Sequence, residues 1–127
     1  MPVADDLTLL IGAARDAGEI LRDCFTRGSK AWEKPDAAGP VTEADMAANA
    51  ALHARLTSAC PGYGWLSEEG PEDPARREAT RAFVVDPLDG TRAFIEGDHS
   101  WALALAVVDA GQVSAGVVYL PMRDILY

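Results

Sequence analysis

The segment Asp86-Pro87-Leu88-Asp89-Gly90-Thr91 follows an apolar run and sets two carboxylates three residues apart. Such a pair at a strand end can clamp a cation. Pro87 fixes a bend that turns the Leu88 carbonyl toward the same space, and Gly90 lets the backbone approach a phosphate, whose oxygens accept the following N–H groups. The same residues also read as a turn, because Pro and Asp-Gly are common turn formers. Upstream, Glu68-Glu69 closes the short apolar stretch Trp65-Leu66-Ser67. It reads either as a solvated acidic face or as additional oxygen ligands, since a hard cation needs more oxygens than two aspartates provide. Asp45 stands third in Thr42-Glu43-Ala44-Asp45, after the cap position. There a carboxylate is stabilising through capping and the helix dipole alone, so taken by itself it reads as structural.

Spacing excludes several other uses of these acids. An EF-hand loop alternates its ligands before a Gly, but the second residue after Asp86 is Leu88 and the Gly comes one place early. Haloacid-dehalogenase phosphatases carry their second Asp two residues after the first, whereas here the gap is three. No Gly-rich phosphate or dinucleotide fingerprint is present. Cys24 and Cys60 lack Cys-x-x-Cys spacing and are expected as buried thiols, and His53 and His99 have no second ligand at zinc spacing. Twenty acidic against 11 basic residues give a net charge of −9. That charge repels a phosphate backbone, so no nucleic-acid polymer is expected as a partner, and it suits divalent cations.

The elements that must position these groups follow from periodicity. Leu7, Leu10, Ile11, Ala14, Leu21 and Phe25 predict an amphipathic helix over about 6–26, stopped at Gly28-Ser29. Lys30 to Pro40 reads as a polar loop. A second helix starts at Thr42 with a capping box, Val41 stapling on Met46, and ends at Cys60-Pro61-Gly62. An acidic, Pro-containing segment from Glu68 to Glu78 leads into Ala82-Phe83-Val84-Val85, a continuous apolar run expected as a buried strand. Trp101, Leu103, Leu105 and Val107 alternate with alanines as in a strand with one bulky face, and Asp109-Ala110-Gly111-Gln112 turns the chain into a second strand over 113–120. A third strand opens at Ile125 and reaches Tyr127, the last residue, which sets the expectation of a fragment of a longer protein. The fold class is α+β, two helices packed on an antiparallel sheet, in one domain over 1–127. With 127 residues, 49% hydrophobic and 24% charged, the chain reads as globular, without a membrane span or secretory leader, hence cytoplasmic.

Taken in order, Val41-Thr42-Glu43-Ala44-Asp45, Trp65-Leu66-Ser67-Glu68-Glu69 and Asp86-Pro87-Leu88-Asp89-Gly90-Thr91 closely resemble the inositol monophosphatase family of metal-dependent phosphatases. Gly116-Val117-Val118-Tyr119 before Pro121 resembles that family's next strand, so the likeness covers nearly the whole chain. The resemblance implies the N-terminal half of the inositol monophosphatase and sugar phosphatase fold, with the C-terminal domain absent and a further metal-binding aspartate supplied from it. It implies two or three Mg2+ ions per site and inhibition by Li+. Glu68, Asp86 and the Leu88 carbonyl would hold one ion, and Asp86 and Asp89 a second. Catalytic roles fall to Glu68, to Thr91, which would position the attacking water, and to Asp45 behind it. The Gly90 and Thr91 N–H groups would bind phosphate. The substrate class is a small phosphorylated metabolite, and a homodimer is among the assemblies the family forms. Ser67 departs from the Gly that many members carry before the first glutamate, while the residues Leu88, Arg92 and Phe94-Ile95 look more like the 3'(2'),5'-bisphosphate nucleotidase branch than the inositol-1-phosphate branch; a non-catalytic cation-binding or interaction module is the third reading. Lys34 resembles a mobile-loop lysine of the family, or is simply a solvated loop charge.

Overall fold

The computed structural model describes residues 3–34, 39–69 and 79–127; the tip of the polar loop and most of the acidic segment lie outside the described residues. Helix α1, Val3–Arg27, buries Leu10, Ala13, Ala14, Ala17 and Leu21 on one face, as its spacing requires. Gly28, at φ +87°, takes the left-handed conformation that ends it.

The chain then forms β1, Ala31–Glu33, and β2, Pro40–Thr42, an antiparallel hairpin where the sequence reads as loop. Three-residue strands carry too little alternation to be seen, and Lys34 N–H donating to the Gly39 carbonyl at 2.8 Å helps close this one. Helix α2, Glu43–Ala59, begins with the expected capping box: Thr42 Oγ1 accepts from the Ala44 and Asp45 N–H groups while Asp45 Oδ2 accepts from the Thr42 N–H at 3.0 Å. The staple differs from expectation, because Val41 is buried but Met46 is 41% exposed.

One five-stranded sheet has the order β3 (Gly64–Ser67), β4 (Arg81–Asp89), β5 (Ala102–Asp109), β6 (Gln112–Leu120) and β7 (Ile125–Leu126). It is mixed rather than wholly antiparallel. Strand β3 runs parallel to β4, which residues 68–80 permit because they are long enough to return the chain to its starting end. The other neighbours are antiparallel. Strand β4 buries Phe83 and Val85 while Ala82 and Val84 remain partly exposed, so the apolar run packs on one face only. Strand β5 alternates as predicted, with Leu103, Leu105 and Val107 buried. Ala110 and Gly111, both at positive φ, form the tight turn into β6.

Leu10, Leu21, Leu52 and Leu56 from the two long helices pack with Phe83, Leu103, Leu105, Val107 and Tyr119 of the sheet in one core. The opposite sheet face carries small residues and forms a shallow apolar groove of about 700 Å³ bordered by Val84, Ala104, Ala106, Gly116 and Val118. Cys60 is buried and Cys24 partly so; both thiols are free, and burial pushes both above the usual thiol range. Among the described residues no helix is long and apolar enough to cross a membrane.

Candidate active site

The pairing of β4 with β5 slips between Asp86, opposite Ala104, and Asp89, opposite Ala102: three steps along one strand meet two along the other. This bulge contains Pro87, which has no N–H to give to a ladder, and it breaks the alternation that would point the two aspartates to opposite faces. Both carboxylates consequently face a single open cleft of about 320 Å³, lined also by Glu68, Leu88, Gly90, Thr91, Arg92 and Lys34. Of the residues that the sequence marks for this site, Glu68, Asp86, Leu88, Asp89, Gly90 and Thr91 line that cleft, whereas Asp45 and Glu69 do not. Asp45, fully buried, lies behind it.

Thr91 opens the short helix α3, Thr91–Ile95. Its Oγ1 lies 3.1 Å from Asp45 Oδ1 and 3.2 Å from the Leu88 carbonyl oxygen. A hydroxyl has one proton, which serves only one of these acceptors at a time. With Asp45 ionised, the charge-assisted bond to its carboxylate takes that proton and leaves the Leu88 oxygen and the Thr91 lone pairs to other partners. Asp45 therefore uses Oδ2 as a helix cap and Oδ1 to orient Thr91, and the two readings of this residue are compatible. Its pKa is raised by burial, with bonds from Thr42 and Thr91 opposing the rise.

Five residues are too short a helix to show periodicity, and packing rather than propensity holds α3. Phe94 is buried edge-on against Trp101 and Phe25, with ring centroids 5.0 and 5.3 Å away. Gly90, before α3, sits at φ +87°, and a Cβ there would lie 3.4 Å from the Trp101 Cα. Gly90→Ala is expected to cost roughly 1–2 kcal/mol, a fall in Tm of several degrees in thermal unfolding, because an L side chain is strained in that conformation.

The electrostatics of the cleft are those of crowded acids. Burial pushes the Asp86 carboxyl up to about 6, with the Glu68 and Asp89 charges adding to it. Asp86 Oδ1 is buried and, among the described residues, has no hydrogen-bond partner. Lys34 Nζ pairs with Glu69 Oε1 at 3.0 Å, and the Glu69 side chain is only 5% exposed. Burial disfavours the Lys34 ammonium, but Glu69 beside it more than compensates and its pKa stays above the ordinary value. Lys34 is thus an ion-paired wall of the cleft, not a solvated loop charge, and Glu69 is engaged while Glu68 stays exposed.

Among the described residues, no three Asp, Glu, His or Cys side chains converge into a finished metal cage. The donors that do face the cleft are all oxygens, and one is buried without a partner. That set fits a hard divalent cation whose shell is completed from elsewhere. Asn49, which sequence reasoning missed, touches the site from α2 through Ser67 Oγ at 2.5 Å. The available signal was a polar residue one turn after Asp45 on the face that buries Ala44, Ala48 and Leu52.

Residues 4–127 match the inositol monophosphatase family. The 3'(2'),5'-bisphosphate nucleotidase CysQ of Shigella flexneri is 35% identical over 117 residues, covering 90% of this chain and 47% of that protein. The inositol-1-monophosphatase of Mesorhizobium japonicum is 36% identical over 124 residues, covering 95% of this chain and 46% of its own length. Among solved structures, the extragenic suppressor protein SuhB from Bartonella henselae superposes with a TM-score of 0.88 at 31% identity, over 96% of this chain and 47% of that one. The chain spans about half the length of the curated relatives it matches.

Proposed function

Because this chain belongs to the inositol monophosphatase family, we propose that it forms the N-terminal half of a magnesium-dependent phosphomonoesterase acting on a small metabolite. The observation that carries the reading is Asp86 Oδ1, buried and unpartnered among the described residues in a cleft that Glu68, Asp89 and the Leu88 carbonyl share. In this reading Glu68, Asp86 and the Leu88 carbonyl hold one magnesium, and Asp86 and Asp89 a second. Bound there, the ions would neutralise charge on the phosphate and its leaving oxygen and make water easier to deprotonate.

The chain's own groups do the positioning. Thr91 donates its proton to Asp45, so its lone pairs are fixed toward the cleft and accept a hydrogen from the attacking water. The Gly90 and Thr91 N–H groups receive the phosphate oxygens, at the Gly90 turn that no larger residue fits without strain. Arg92, exposed on the rim, supplies a cation that a second phosphate would use. That residue and the likeness to CysQ favour a 3'(2'),5'-bisphosphate nucleotide as substrate. The similar identity to an inositol-1-monophosphatase keeps inositol 1-phosphate as the second reading. If Arg92 reads a second phosphate, Arg92→Ala in an active, extended chain raises KM for the bisphosphate nucleotide but not for inositol 1-phosphate.

The cation site is tested by unfolding with and without magnesium. Asp86 ionises near 3.8 in an unfolded chain and near 6 in the folded one. Between those values the folded state holds the extra proton, so the cation-free fold loses stability as pH rises from about 4 to about 6, by up to about 3 kcal/mol. Without magnesium at pH 7, Asp86→Asn should therefore melt higher than the wild type. Magnesium at ~100 times its Kd should stabilise the wild type by about 2.7 kcal/mol and leave the variant nearly unmoved. Equal melting curves for both proteins, with and without the ion, would remove the cation site.

A further inference from the structure

The Ser67 hydroxyl ends β3 between two partners: it donates to Asn49 Oδ1 at 2.5 Å and accepts the Glu69 backbone N–H at 3.3 Å. Asn49 follows Asp45 by four residues on α2, one helical turn along the same face. From that face Asp45 reaches Thr91 and Asn49 reaches Ser67. Helix α2 is therefore tied by successive turns to Thr91, which lines the cleft, and to Ser67, which immediately precedes the cleft residue Glu68.

From these contacts we infer that Asn49 and Ser67 are a positioning pair that fixes the Glu68-Glu69 turn relative to Thr91, and so presets the Glu68 carboxylate for a divalent cation. The inference rests on the proposed cation site. Glu68 is exposed, and a free Glu side chain loses rotamer freedom when it is ordered. What the fold can settle in advance is its backbone. The residue before it, Ser67, is 6% exposed and tied to α2. The residue after it has its N–H held by Ser67 and its carboxylate held by Lys34. Glu68 thus stands between two anchored neighbours, with the Ser67 bonds shielded from competing water. A Gly at position 67 offers neither bond, so this way of holding the turn depends on the serine.

Magnesium titration calorimetry on the 127-residue chain tests this, with cation-free melting curves as the control for folding. Groups that orient metal ligands typically change affinity by 10–100-fold when removed, so Ser67→Ala and Asn49→Ala should each weaken magnesium binding by about 10-fold or more. The double variant should be no weaker than about the worse single one, because both changes break the same link. Ser67→Thr keeps the hydroxyl and should bind within about threefold of the wild type. Asn49→Ala places a strong helix former inside α2, so it provides a folded variant even if Ser67→Ala melts early. Wild-type affinity in both alanine variants, with binding abolished in Asp86→Asn, would overturn the positioning role and leave the cation site standing. No magnesium binding by the wild type itself would overturn both.

Discussion

Purified as these 127 residues, the chain is expected to bind magnesium yet to release phosphate from small monoesters at least roughly a thousandfold more slowly than a full-length family enzyme. The acids, the Thr91 hydroxyl and the Gly90 turn lie on one side of an open cleft, and among the described residues no finished cation cage is present. The apolar groove on the outer sheet face runs into the same place, since Glu68 and Asp86 border it too. The proposed site consequently has a built wall and an open one. Misplacing reacting groups by ~1 Å can cost 100-fold, and a substrate held from one side is placed far more loosely than that. The measurement is phosphate release by the purified chain at saturating magnesium, from a bisphosphate nucleotide and from inositol 1-phosphate, beside calorimetric binding of the ion. Turnover within tenfold of a full-length relative would show that the chain needs no second half.

What could be read in advance was what is local. The capping box at Thr42 and Asp45, the alternation along β5 and the turn at Ala110-Gly111 depend on a few neighbouring residues, and the structure shows all three. The parallel pairing of β3 with β4 depends on where a long connection returns, which no short window records. Helix α3 depends on Phe94 meeting Phe25 and Trp101 from distant parts of the chain. The position of the cleft was legible because its acids come in three short, ordered motifs. The neighbours that hold them were not. Asn49 lies on a helix whose buried face already mixes Ala44, Asp45 and Ala48 with Leu52 and Leu56, so one more polar side chain beside it does not stand out, and Lys34 differs from a surface lysine only through its contact with Glu69.

The two oxygens of Asp45 lead to a sharper expectation. Oδ2 caps α2 through the Thr42 N–H at 3.0 Å, and Oδ1 receives Thr91 at 3.1 Å. In Asp45→Asn the amide oxygen can keep the cap, which leaves an NH2 group facing Thr91. A donor then stands where an acceptor stood, and the Thr91 proton is driven to its other neighbour, the Leu88 carbonyl. That swap spends the lone pairs by which Thr91 would orient water and engages a proposed cation ligand. Stability should change little, by well under the ~1 kcal/mol of a deleted cap, since the cap survives and a buried charge is removed. In a chain extended through the second half that its relatives possess, Asp45→Asn and Thr91→Ala should each lower kcat by at least roughly 100-fold, the scale of lost general-base assistance. Thr91→Ser, which keeps the hydroxyl, should restore most of it. The double variant should be about as slow as the slower single one, because the two residues act as a unit. A lower Tm with kcat preserved in Asp45→Asn would make the residue a helix cap alone, and the Thr91 hydroxyl would then have to be oriented by the Leu88 carbonyl.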